Sequence, residues 1–190
     1  MNAALARQAL RLNVAMPLVL MTDERKADWI CAAKALPRGS VVIIRARDAA
    51  SRTNLLRQLR PIPYLRLLVA DDPRLAMEAE GLHLPEAHLR QAPHWRAKHP
   101  GWIITAAAHS LGALLAAREV DAVFLSPVFA SASHPRARAL TPVRAALIAA
   151  AATRKKIPVY ALGGMEARNA ALLARSFSGI AAVSSLLCAR

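Results

Sequence analysis

"SVVIIRA", residues 40–46, runs towards "SRTNLLRQLR" at 51–60. The first stretch is short, continuous and rich in β-branched residues, which reads as a strand buried on both faces. The second has helical character, with Ser51 placed as an N-cap. A strand followed by a helix is one half of a parallel β–α–β unit, and here the pair recurs along the chain. "PLVLMT" (17–22) precedes "DERKADWICAAKAL"; "YLRLLVA" (64–70) precedes "DPRLAMEAE"; "GLHLP" (81–85) precedes "EAHLRQAPHWRAKH". "WIITAAAH" (102–109) precedes "SLGALLAARE", "AVFLSPVF" (122–129) precedes a polar loop and "TPVRAALIAAAATRK", and "PVYALGG" (158–164) precedes "EARNAALLARS". The last run is "GIAAVSSLL" (179–187).

Eight such strands predict a closed (β/α)8 TIM barrel, with an open doubly wound sheet as the alternative. A chain of 190 residues is expected to fold as one domain over 1–190. Because Arg190 follows directly on the eighth strand, the eighth helix is expected to be short or missing. The amphipathic N-terminal stretch (about residues 2–13) is expected to form an extra helix covering that part of the wall, or else a partner subunit of a homo-oligomer does so. Leu111, Leu114 and Leu115 are expected on one buried stripe, as are Val143, Ala146, Leu147 and Ala150. Asp23, Ser51 and Ser110 are expected as helix caps.

Composition narrows the functional classes. The formal charge is +14, from 26 Lys and Arg against 12 Asp and Glu, which concentrates anions near the surface. The basic residues are scattered and aromatics are only 4%, so a stacking platform for nucleic acid is not expected. No apolar run approaches the length of a membrane span, and the N-terminus does not read as a signal peptide. Only Cys31 and Cys188 occur, without a motif around either, so a reduced, cytoplasmic setting is the default.

In such a barrel the chemistry gathers at the C-terminal ends of the strands. Polar residues expected there are Asp23, Arg45, Arg47, Asp48, Asp71, Asp72, His83, His109, Ser131, Ser133, His134, Gly163, Gly164, Ser184 and Ser185. Gly163-Gly164 follows strand seven and Ser184-Ser185 lies near the end of strand eight, where such barrels commonly bind phosphate through backbone N–H groups. A plain tight turn is the alternative for the glycines. Asp72 before Pro73 is expected to cap a helix. Arg45 at a strand end needs an anion, or else an ion pair with Asp48 or Asp23. His83 reads as a satisfied core histidine, and His109 as the end of strand five with Ser110 capping the next helix. His94 and His99 read as surface residues, and Trp29, Trp95 and Trp102 as core or wall packing.

The stretches "PLVLMTDERKADW", "VVIIRARD", "VADDPRLAMEAEGLHLPE", "AAAHS", "DAVFLSPVFASASHP", "IPVYALGGMEARNA" and "GIAAVSSLL" follow one another in the order and spacing of the thiamine phosphate synthases. That family includes related thiazole tautomerases. The resemblance covers most of the chain and is strongest over Ala108–Leu187, where "HS", "PVF", "GGM" and "VSS" fall in register. It implies a (β/α)8 transferase that joins hydroxymethylpyrimidine diphosphate to thiazole phosphate. Diphosphate leaves first, and the thiazole nitrogen attacks the resulting pyrimidine cation. Mg²⁺ and cationic side chains would stabilise the departing diphosphate.

Residue by residue, the resemblance assigns Arg45 and Arg47 to the diphosphate and Asp71 to magnesium. Ser131, Ser133 and His134 also fall on its diphosphate-holding positions, with Ser133, Arg45 and Arg47 as the catalytic set. Gly164, Ser184 and Ser185 fall on the cradle for thiazole phosphate, with Gly163 beside them as a further substrate-binding candidate from its position after strand seven. This chain departs from the pattern in several places. Arg47 and His134 replace lysines, Ala70 replaces an asparagine, and His88 stands nearest a second magnesium-binding aspartate, with Glu86 as a substitute. Pro127 stands where a tautomerase would have its catalytic histidine, and proline carries no titratable group. The synthase reading is therefore favoured. The alternative is a divergent relative, tautomerase-like or binding phosphorylated ligands without catalysis.

Overall fold

The computed structural model describes residues 16, 18–23, 29–130, 139–153, 155–173 and 176–183. Its strands are β1 (Val19–Met21), β2 (Val41–Ile44), β3 (Arg66–Ala70), β4 (Gly81–Leu84), β5 (Ile103–Ala108), β6 (Ala122–Leu125), β7 (Val159–Ala161) and β8 (Gly179–Ala182). Each pairs in parallel with its sequence neighbour, and β8 closes on β1 through Val19↔Ala181 and Leu20↔Ala182. All eight expected strands are therefore present, and the sheet is a closed barrel rather than an open one.

Closure explains the unbroken apolar runs. Val19, Met21, Val41, Ile43, Leu68, Phe124 and Tyr160 pack together inside the barrel. Their neighbours Leu18, Leu20, Val42, Ile44, Leu67, Val69, Val123 and Leu125 pack in the outer cluster, with the helices. Because side chains alternate between faces and both faces are covered, every strand position favours a hydrophobe.

The helices between strands are α1 (Trp29–Lys34), α2 (Ala49–Leu59), α3 (Pro73–Ala76), α4 (Ala92–Lys98), α5 (Leu111–Ala116), α6 (Pro142–Thr153) and α7 (Ala167–Ala170). A 3-10 turn at Glu86–Gln91 leads into α4, and another at Ala171–Leu173 follows α7. The expected N-terminal helix over 2–13 and the region of an eighth helix lie outside the described residues. No helix among the described residues is long and apolar enough to cross a membrane.

Several local expectations change. Asp48, not Ser51, caps α2: its carboxylate accepts from the Ser51 N–H at 2.7 Å, which holds the Asp48 carboxyl below its usual range. Ser110 caps α5 as expected, accepting from Ala113 N–H at 3.1 Å. On α6 the buried residues are Ala145, Ile148, Ala149 and Ala152, while Val143 and Leu147 are 72% and 69% exposed. The expected stripe was the wrong one because α6 is apolar nearly all round. Close approach to the sheet selects the alanine face, anchored by one isoleucine. On α5, Leu114 is buried but Leu111 is exposed. Cys31 is disulfide-bonded, whereas the expectation from sequence was a reduced setting.

Trp29 is buried, and Trp95 and Trp102 pack in the wall, as expected. His99 is not a plain surface residue. Its ring stacks on Trp102 with centroids 3.8 Å apart, and Trp95 stacks on Trp102 at 6.2 Å. This aromatic stack lies where the chain enters β5, at the barrel end opposite the strand C-termini.

Candidate active site

The strand C-termini surround a cavity of about 370 Å³. Its floor carries Met21, Ala70, Ala107 and Leu162, together with the imidazole of His83. Around it stand Arg45, Arg47, Arg52, Asp71, Glu86, His109 and Ser126. Among the described residues lining it, three arginines thus face two carboxylates. An excess of guanidinium over an apolar floor suits a ligand with an anionic end and an uncharged body.

The β2 end is built for fixed position. Thr22, just past β1, accepts from the Arg45 N–H at 2.8 Å and donates its hydroxyl to the Arg45 carbonyl at 3.0 Å. One side chain thereby satisfies both backbone groups where the β2 ladder stops. Arg45 is half-buried, with Nη1 3.9 Å from the Met21 sulfur. Asp48, offered as a partner for Arg45, is engaged as the α2 cap.

At the β3 end Asp72 takes the cap expected of it, on α3. It accepts from Leu75 N–H at 3.1 Å, and also from Arg52 Nη2 at 3.3 Å. Asp71 stays at the cavity rim, half-exposed, with a left-handed φ of 54°. That conformation costs a non-glycine residue roughly 1 kcal/mol and here turns the carboxylate away from the strand line. Asp71 Oδ1 lies 2.6 Å from His88 Nδ1. Glu86 faces the cavity, but its carboxylate accepts from the His109 backbone N–H.

His83 sits on the inner face of β4, 4% exposed, with Nδ1 2.9 Å from Thr105 Oγ1. Its ring edge meets Phe124 at 5.6 Å. Burial, reinforced by the charge of Arg45, lowers its pKa to about 3, so the ring is neutral near pH 7. It is the satisfied core histidine expected, and it also forms part of the cavity floor. His109 goes beyond its expected role: its Nδ1–H donates to the Ser126 carbonyl at 2.7 Å, and the ring lines the cavity.

The glycine pair has a structural reason. Gly163 and Gly164 have φ of 93° and 61°, and residues 127–130 pack directly against them. Val128 N–H donates to Leu162 O at 3.0 Å and Phe129 N–H to Gly163 O at 3.2 Å, tying the loop after β6 to the turn after β7. A Cβ on Gly164 would stand 2.3 Å from Ala130 O and 2.8 Å from Phe129 Cβ. Gly164→Ala is therefore expected to destabilise the fold by about 2–3 kcal/mol in urea unfolding. An alanine variant as stable as the parent would contradict this packing.

The structure thus brings Arg45, Arg47 and Asp71 into one cavity and sets Gly163-Gly164 beside it, next to Leu162. Ser131, Ser133, His134, Ser184 and Ser185 lie outside the described residues. Thr22, Arg52 and Ser126 were not anticipated. Arg52 did carry a signal: a cation in the first turn of α2 opposes the helix dipole and calls for a partner.

Residues 18–186 match the family described as thiamine monophosphate synthase. A putative thiamine-phosphate synthase 2 of Aquifex aeolicus is 35% identical over 142 residues, covering 70% of this chain and 74% of its own. A thiamine-phosphate synthase of Chlorobium luteolum is 31% identical over 180 residues, covering 89% and 84%. Among solved structures, a thiamine phosphate pyrophosphorylase from Pyrococcus furiosus is similar with a TM-score of 0.65 at 22% identity, covering 94% of this chain and 88% of that one. The N-(5'-phosphoribosyl)anthranilate isomerase of the same organism is similar at 0.61 and 14% identity, covering 88% of each. At these identities the solved structures speak for the barrel alone.

Proposed function

The chain belongs to the thiamine monophosphate synthase family, and from that premise we propose that its barrel-end cavity joins hydroxymethylpyrimidine diphosphate to thiazole phosphate, releasing diphosphate. The observation that carries this reading is the convergence of Arg45 and Arg47 on one cavity with an apolar floor. In the reaction, the bond from the pyrimidine's exocyclic carbon to the diphosphate oxygen breaks and its electron pair leaves with the diphosphate. The thiazole nitrogen then supplies the pair that forms the new carbon–nitrogen bond. Negative charge grows on the departing oxygens, where preformed guanidinium groups act without reorganising. Positive charge grows on the pyrimidine carbon, over the floor. Neutral His83 adds no opposing charge there, and Met21 offers a polarizable sulfur.

Within this reading Arg45 and Arg47 hold the diphosphate, and Ser131, Ser133 and His134 complete its binding. Gly163, Gly164, Ser184 and Ser185 hold the thiazole phosphate.

Magnesium fits the cavity in one way. The described residues assemble no group of three or more His, Cys, Asp or Glu around a cation. Asp71 retains Oδ2 outside its contact with His88, and Glu86 is turned to the His109 N–H. The ion would therefore rest on Asp71 and on the diphosphate's own oxygens, a hard-oxygen shell of the kind Mg²⁺ takes. When bound, it neutralises charge on the leaving group.

The test is a diphosphate-release assay with both substrates and Mg²⁺, with identification of the joined product. Release that requires both substrates supports the reading; no release from the parent chain sinks it. In the same assay Asp71→Asn is expected to raise the Mg²⁺ concentration for half-maximal rate by at least about tenfold. An unchanged requirement would remove Asp71 from the metal's neighbourhood.

A further inference from the structure

We propose that Arg52 is a positioning residue that locks the Arg45–Arg47 segment to the Asp71–Asp72 turn, so that the diphosphate site is assembled before ligand arrives. The proposal rests on the reading of the cavity as a diphosphate site. Arg52 projects from the first turn of α2, and its guanidinium reaches both neighbouring loops. Nη1 donates to the carbonyls of Ala46 at 2.7 Å and Arg47 at 3.2 Å, and Nη2 donates to Asp72 Oδ2 at 3.3 Å. The other carboxylate oxygen of Asp72 caps α3. The two side chains are 15% and 20% exposed, so this joint is largely shielded from water.

The arrangement separates Arg52 from its two neighbours. All three line the cavity, but the guanidinium of Arg52 is engaged by Asp72 and by the backbone of the Arg45–Arg47 segment. Its contribution passes through the backbone between Arg45 and Arg47, whose carbonyls it holds on one side. A planar fork is needed for this: two acceptors on one loop and a carboxylate on another define the plane of a guanidinium. A lysine ammonium keeps the charge without that geometry.

Binding of inorganic pyrophosphate, followed by calorimetry on the full chain, isolates this effect from catalysis. Arg52→Lys is expected to weaken pyrophosphate binding about tenfold, and Asp72→Asn, which keeps a good helix cap, to weaken it similarly. The KM for thiazole phosphate should stay unchanged in both. If Arg52 instead touches the anion directly, Asp72→Asn frees its charge and leaves pyrophosphate affinity equal or tighter, which overturns the proposal. Lower melting temperatures with unchanged pyrophosphate affinity overturn it as well, since Arg52 would then be scaffold only. A parent chain that binds pyrophosphate but releases none from the two substrates defeats the synthase reading while leaving the positioning role standing. A parent chain that does not bind pyrophosphate defeats both.

Discussion

Replacing Arg45 with alanine is expected to lower kcat/KM for diphosphate release by about 10²–10³-fold, the usual cost of losing one preorganised donor to a developing anion. Two features place Arg45 above its neighbours. Its backbone N–H and carbonyl are both locked to the Thr22 hydroxyl, so its base cannot drift when the strand ends. Its side chain is half-buried beside Met21, where screening by water is weaker than at exposed Arg47. Arg45→Lys should recover part of the loss, because charge survives but the bidentate fork does not. The variant also carries an internal control. Arg45 is one of two causes depressing the pKa of His83, so its removal should let that value rise. Full activity in Arg45→Ala would strip the residue of its role; an unchanged His83 would show that the guanidinium does not reach the floor.

The second large effect is on stability. Burial first, and the charge of Arg45 second, take His83 from an ordinary 6.5 to about 3 in the folded chain. Between those two values the unfolded chain binds a proton that the folded chain does not. Stability is therefore fully present above pH 6.5 and falls as the pH drops towards 3. For one proton the folding equilibrium constant falls about tenfold per pH unit inside that window. Urea unfolding of the parent and of His83→Gln over this range should give profiles that converge at low pH. Parallel profiles would mean that His83 charges as readily folded as unfolded.

The barrel was legible because its rule is repetitive. Continuous apolar strands are what a sheet covered on both faces requires, and each of the eight was anticipated. The helix faces were less so. In α6 alanine and leucine occupy every side, and only contact with the sheet selects Ile148 over Leu147. Around the cavity, the charged residues at strand ends, Arg45 and Asp71, could be placed at its rim in advance. Those whose part is to hold others could not. Thr22 matters because β1 pairs with β2 in register, Met21 opposite Ile43, which brings its hydroxyl to Arg45. Arg52 matters because two loops distant in sequence meet at its fork. The glycine pair shows the converse: its sequence suggested bare amides, whereas its geometry first requires room for the loop at 127–130.

The stack of Trp95, His99 and Trp102 supplies an optical handle. Indole emission is quenched by close ring contacts and by a protonated imidazole. Two of the three tryptophans therefore report on the wall where β5 begins, not on the arginine cavity at the other end. Trp29 belongs to α1, in a different sector of the wall. Loss of the native emission spectrum would follow opening of the α4–β5 sector, while ligand capture could be tracked separately by calorimetry. Unfolding and occupancy thereby become two independent signals in one unlabelled chain.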